Sequence, residues 1–156
     1  MVQIKHKSSG KTILKAKNEA IRGCVLKGHD LSNADFSGQD LSGCKFTGCN
    51  LCDADFSGAN LSFAELDNCV LRRANFSGAT MTKANMSDNV FDSAKMIGCM
   101  AIGAQFRHTK MNDVDFTKAN LRSLRTLQNS RREVRPRRVG GWLGIPSNDS
   151  CWSNGG

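Results

Sequence analysis

The side chains with most chemistry to offer in this chain are its cysteines, its histidines and one run of arginines. Cys49 and Cys52 form a C-x-x-C, and Cys44 and Cys69 lie near enough in sequence to complete a thiolate set of the kind that holds zinc. Seven cysteines in 156 residues also raise a disulfide framework, which requires an export signal and a reason for the positions of the thiols. The three histidines, His6, His29 and His108, are not paired in sequence with a credible Cys or Ser nucleophile. Near the C-terminus, RREVRPRRV at 131–139 concentrates Arg131, Arg132, Arg135, Arg137 and Arg138 without interleaved aromatics. Such a run is a solvated tail, or else a contact for nucleic acid, ribosome or anionic membrane.

The elements that position these residues follow from a five-residue period. From residue 24 to 123 the chain reads CVLKG, HDLSN, ADFSG, QDLSG, CKFTG, CNLCD and onward to VDFTK and ANLRS, twenty blocks without an insertion. The third position is Leu eight times, Phe seven times, Met four times and Ala once, at Ala101. The first position is Ala ten times and Cys five times, with His29, Gln39, Asn89, Thr109 and Val114 as the rest. Positions one and three are two apart, so in an extended segment both face one way and position two faces the other. An α-helix cannot keep a five-residue repeat on one stripe of its 3.6-residue turn. Position five is Gly eight times and Asn or Asp five times, residues that tolerate the positive φ of a tight corner.

Each block is therefore one short side and one corner, and four right-angled corners return the chain above its start. The expected fold is all-β: a right-handed quadrilateral parallel β-helix of about five coils, with residue n stacked on residue n+20 and a rise of roughly 4.8 Å per coil. Phe36, Phe56 and Phe76 then share one column. Residues 1–23 contain two alternating stretches about Ser8, Ser9 and Gly10 and are expected to form a β-hairpin cap, because an open β-helix end templates strand addition. Residues 124–156 are expected to be a basic tail. Leu121, Leu124 and Leu127 keep helical spacing, which predicts a short capping helix or a homodimer contact before a disordered stretch.

The period reassigns the chemistry. Cys24, Cys44, Cys49, Cys69 and Cys99 occupy the small inward position, where a thiol packs as a small hydrophobe, while Cys52 points outward as the more reactive thiol. The stacked pairs Cys24/Cys44 and Cys49/Cys69 approach disulfide range, but a reducing cytosol disfavours bonding. Gln39, Asn89 and Thr109 point inward and read as polar groups satisfied within the core. Ile97, Met100 and Ile102 take outward slots around Ala101. Either the register bulges and Met100 or Ile102 repacks inward, which is the favoured expectation, or they form an apolar patch for a partner or for Trp142. Val70 and Val90 form a weaker patch.

Charge divides unevenly. Residues 1–19 carry five Lys against Glu19, residues 20–123 eleven basic and eleven acidic side chains, and residues 124–156 six Arg against Glu133 and Asp149, within a total of +8. The chain shows neither a secretory signal nor an apolar run of membrane-spanning length, and the expected location is cytoplasmic.

These blocks resemble the pentapeptide repeat family, whose consensus is A(D/N)LXX. ADFSG at 34–38 and 54–58, ANLSF at 59–63 and ANFSG at 74–78 match it closely, and the resemblance covers about two-thirds of the chain. It implies an interaction surface with no catalytic motif residue. One branch, the quinolone-resistance pentapeptide proteins, imitates a DNA duplex in shape and acidity and binds DNA gyrase. This sequence departs from that branch in its neutral, uninterrupted repeat. The expected function is a non-enzymatic protein–protein interaction scaffold without cofactor or metal, for a protein partner the sequence does not identify. Binding of a type II topoisomerase as a DNA mimic, and nucleic-acid or anionic-surface binding through the basic tails, are the alternatives.

Overall fold

Position two of each block pairs in parallel with position two of the block twenty residues later. The computed structural model describes residues 3–15 and 21–125, together with the backbone of 134–135. Four such ladders run the length of the repeat. The first side carries Val25, Lys45, Glu65, Asn85, Gln105 and Arg125, and the second Asp30, Asn50, Val70, Val90 and Lys110. The third carries Asp35, Asp55, Asn75, Lys95 and Asp115, and the fourth Asp40, Asn60, Thr80, Met100 and Asn120. The backbone bonds follow the same step, as in Asp55 N–H to Ala34 O at 2.8 Å and Phe56 N–H to Asn75 O at 2.7 Å. The result is a β-helix solenoid, with no helix among the described residues.

Local chemistry explains the block. An Asp or Asn at position two accepts the N–H of position four, as in Ser37 N–H to Asp35 Oδ1 at 3.0 Å and Ser62 N–H to Asn60 Oδ1 at 3.1 Å. This side-chain turn starts the corner. The corner closes when the next position-one N–H bonds the position-three carbonyl, as in Ala54 N–H to Leu51 O at 3.1 Å. Position five takes positive φ throughout, at Gly58 with φ 64° and also at Phe63 with φ 59° and Arg73 with φ 55°.

The inward positions make one core. Phe36, Phe56 and Phe76 are fully buried and stack in a column with ring centroids 4.9 and 4.8 Å apart and planes within 6°. Phe46 meets Phe36 and Phe56 edge-on at 5.9 and 6.4 Å. Ile21 is buried and Gly23 has φ 68°, so the inward phase reaches one block above residue 24.

At the N-terminal end β1 (Gln3–His6) and β2 (Thr12–Lys15) form an antiparallel hairpin. β3 (Val25–Lys27) belongs to the first coil, and β4 (Ala34–Asp35) pairs antiparallel with β1 through Lys5↔Asp35 and His6↔Ala34. Ile4 is buried with the core. The later strands are β5 (Lys45–Thr47), β6 (Glu65–Asp67), β7 (Met111–Asn112) and β8 (Val134–Arg135).

The helix expected from Leu121 and Leu124 does not form over the described residues. Leu121 is buried at a third position, Leu124 packs on the core, and Leu124 N–H bonds Leu121 O at 3.2 Å as one more corner. A spacing of three is also the step from position three to the next position one, so the helical reading misassigned a continuing coil. Leu127 lies outside the described residues. Beyond it, Val134–Arg135 pairs in parallel with Met111–Asn112.

Candidate interaction surface

A ligand cavity in such a rod would begin at its inward polar side chains. One of the four small inward columns contains no alanine: His29, Cys49, Cys69, Asn89 and Thr109. On the side that leads into it, the strands Val25–Lys27, Lys45–Thr47 and Glu65–Asp67 are three residues long, where most other ladder positions are single bridges. Side chains then complete the corner. Cys69 N–H donates to Asn89 Oδ1 at 2.7 Å, and Asn89 Nδ2 donates to both Leu66 O and Met86 O at 2.9 Å. The thiols of Cys49 and Cys69 donate to Leu26 O and Phe46 O, each at 3.5 Å, and Thr109 Oγ1 to Phe106 O at 3.2 Å. Asn89 and Thr109 thus serve the backbone and do not bond each other. A position-one column without alanine was the sequence signal for this different corner.

The remaining cysteines divide by exposure. Cys99 is buried and Cys52 half-exposed, three residues from Cys49 but outside the core. Burial pushes the Cys69 thiol up to about 11 and the Cys99 thiol to about 12. Among the described residues no three His, Cys, Asp or Glu side chains converge as a metal site. Cys24 and Cys44 do meet, with Sγ atoms 2.8 Å apart.

Of the four exposed large hydrophobic side chains among the described residues, Phe63, Ile97 and Met100 lie on or beside the fourth side, and Val25 lies on the first. Met100 keeps the regular ladder with Thr80 and Asn120, and Ala101 is buried in its own slot. The inward repacking favoured from sequence therefore does not occur, because a bulge would break two ladder pairs. Ile97 is 37% and Met100 44% exposed, and Ile102 is half-buried. Phe63 is 61% exposed with Lys83 Nζ 5.9 Å from its ring centroid. Phe63 N–H bonds Thr82 O and Lys83 N–H bonds Ile102 O, which stacks these residues along one edge. Sequence reasoning passed over Phe63, although it is the single Phe outside the third-position phase. Val70 and Val90 pair within the second ladder and are half-buried.

The ladder also sorts the charges. The first coils, residues 24–67, carry two basic and seven acidic side chains, whereas residues 68–125 carry nine basic and four acidic. The repeat is neutral only in sum. Interactions between coils link some of these groups: Lys45 Nζ to Glu65 Oε2 at 3.1 Å and Arg73 Nε to Asp53 Oδ1 at 2.9 Å. The Arg73 hydrogen bond holds the Asp53 carboxyl below its ordinary value. Of the predicted arginine run, only the backbone of Arg135 is placed, beside Asn112 at the basic end; Arg131, Arg132, Arg137 and Arg138 lie outside the described residues.

A family model described as pentapeptide repeats matches in eight copies, over residues 21–51, 40–73, 69–104 and 102–125. No curated protein matches the sequence. Among solved structures, QnrB1, a plasmid-mediated fluoroquinolone resistance protein, is 17% identical over 78% of this chain and 76% of its own, with a TM-score of 0.32. A pentapeptide repeat protein from the Arabidopsis thaliana thylakoid lumen is 29% identical over 70% of this chain and 73% of its own, with a TM-score of 0.27. Rfr23 from the cyanobacterium Cyanothece 51142 is 20% identical over 69% and 86%, with a TM-score of 0.32.

Proposed function

The chain belongs to the pentapeptide repeat family, and we propose that it is a non-enzymatic scaffold for protein–protein interaction. On this reading it is a right-handed rod of about five coils, closed at one end by the hairpin, and its partner surface is the fourth side with Phe63, Ile97, Met100 and Ile102. The observation that carries it is Phe63. A bulky side chain in the left-handed region costs roughly 1–2 kcal/mol, and here it is spent on a ring that remains exposed. An exposed aromatic beside aliphatic side chains is what a binding hot spot uses. The buried inward polar groups of Asn89 and Thr109, by contrast, are engaged by backbone, which leaves the outer faces to carry recognition. The protein is taken as cytoplasmic, where the buried thiols of Cys49, Cys69 and Cys99 stay reduced.

The test replaces these groups with the residues the same columns use elsewhere: Phe63→Gly, Ile97→Ser and Met100→Thr. Proteins captured by the wild type and lost by the triple variant, with an unchanged far-UV circular dichroism spectrum, are the expected result. Identical capture by both would overturn the surface assignment, and no enrichment over an unrelated bait would overturn the scaffold.

A second reading has its own support. Residues 1–67 carry eight basic and eight acidic side chains, so the whole surplus of +8 lies in residues 68–156. Nucleic acid or another polyanion bound at that end would release counterions steeply with salt. Deletion of residues 130–156 should then weaken binding of duplex DNA or single-stranded RNA and flatten its salt dependence. Mimicry of DNA toward a topoisomerase needs a uniformly acidic rod, and absence of an effect on gyrase supercoiling at stoichiometric excess would remove it.

A further inference from the structure

We infer that Cys24 and Cys44 are a thiol–disulfide exchange site that staples the first coil to the second. They are adjacent in one inward column, one residue before the pair Val25↔Lys45, and Lys45 N–H to Cys24 O at 2.7 Å holds the two backbones together. Adjacent parallel strands lie about 4.8 Å apart, inside the usual Cα separation of a disulfide. The sulfurs already touch at 2.8 Å, and Cys24 N–H also points at Cys44 Sγ, at 3.2 Å. The other stacked pair differs: the thiols of Cys49 and Cys69 are directed at backbone carbonyls.

Two further features suit the pair to exchange. Cys24 is half-exposed while Cys44 is buried, so an external disulfide reaches the first sulfur and the second is held in reserve. Cys44 also donates to Ile21 O at 3.0 Å, but that carbonyl keeps a bond from Cys24 N–H at 3.0 Å, so oxidation strands no buried acceptor. The shared hydrogen bond lowers Cys44 and raises Cys24 from the ordinary thiol value, so a singly ionised pair holds one proton between its sulfurs.

The co-reactant is a low-molecular-weight disulfide of the glutathione class. As the Cys24 thiol attacks one sulfur of that disulfide, its proton passes to the Cys44 thiolate across the 2.8 Å contact, a mixed disulfide forms, and one small thiolate leaves. Cys44 then loses its proton to solvent and attacks the Cys24 sulfur, which forms the Cys24–Cys44 bond and expels the second small thiolate. Two protein thiols are oxidised by two electrons, the small disulfide is reduced, and the two departing thiolates account for the two protons.

The experiment incubates the full chain with oxidised glutathione, blocks free thiols and maps tryptic peptides. Trypsin separates Cys24 in residues 23–27 and Cys44 in residues 28–45 from Cys49, Cys52 and Cys69, which share residues 46–72. The expected product is the 23–27 peptide linked to the 28–45 peptide, reversed by dithiothreitol and lost in Cys24→Ala and in Cys44→Ala. Alanine already fills this column at 64, 84 and 104, so both variants should fold. Oxidation should raise the melting midpoint by roughly 5–10 °C in the wild type and in Cys52→Ala, and leave Cys44→Ala unmoved. Recovery of Cys24 and Cys44 as free thiols, or of Cys24 only as a stable glutathione adduct, would overturn the assignment.

Discussion

Phe56 and Phe63 are the same residue type seven positions apart, and the phase of the repeat assigns them opposite fates. Phe56 is fully buried, stacked between Phe36 at 4.9 Å and Phe76 at 4.8 Å and met edge-on by Phe46 at 6.4 Å. Truncation to alanine removes the transfer energy of the ring and leaves a cavity that stacked coils cannot close, at a cost of about 3–5 kcal/mol. In guanidinium chloride that corresponds to a midpoint lower by about 1 M. At Phe63, 61% exposed with φ 59°, change to glycine relieves roughly 1–2 kcal/mol of backbone strain. Against that stand a cation–π contact of about 0.5–1 kcal/mol and glycine's extra chain entropy of about 0.5–1 kcal/mol. The net change at Phe63 should therefore lie within about 1 kcal/mol of zero. The assay is equilibrium denaturation of Phe56→Ala and Phe63→Gly followed by far-UV circular dichroism, with outward Asp55→Ser as a near-silent control. Equal destabilisation by the two Phe variants would refute both the inward phase and the burial argument built on it.

Other outcomes follow from the same geometry. Asn89→Ala withdraws partners from Cys69 N–H, Leu66 O and Met86 O and should cost about 2–4 kcal/mol by thermal or chemical denaturation; a loss under about 0.5 kcal/mol would mean that the corner closes without the amide. Asp53 has a folded-state value below the ordinary 3.8 of its carboxyl, first through the hydrogen bond from Arg73. Its stabilisation is therefore present above that pH and lost as pH falls through the lower folded value. Asp53→Asn should accordingly flatten the fall in melting midpoint below about pH 4, and an unchanged acid limb would remove the pair from the ledger. Leu124→Asp should destabilise the end of the coil by a measurable fall in midpoint, because Leu124 packs on the core; no change would return it to the tail.

Much of the fold was legible in the primary structure because a short period is a local property repeated. The identity of position three, the small residue at position one and the turn-forming residue at position five can each be read within a single block. Together they imply the stacking of n on n+20 that the Phe36, Phe56 and Phe76 column displays. The inward place of Cys44, Cys49, Cys69 and Cys99 was available in the same way. Reading residue spacing in isolation failed where one interval fits two geometries, as at Leu121 and Leu124.

What the sequence determined by itself is therefore the phase: which side chains face in, which face out, and where the chain turns. Tertiary structure decided what neighbouring coils do to one another. Asn89 could be placed inward from its position in a block, but its bonds go to Cys69 on the coil above and to carbonyls on two coils. Cys24 and Cys44 touch while Cys49 and Cys69 turn away, although both pairs have the same spacing. Met100 stays outward because its ladder partners Thr80 and Asn120 hold the register against a bulge. A period specifies the direction of a side chain relative to its own backbone; hydrogen-bond partners twenty residues away specify the distance and the chemistry that result.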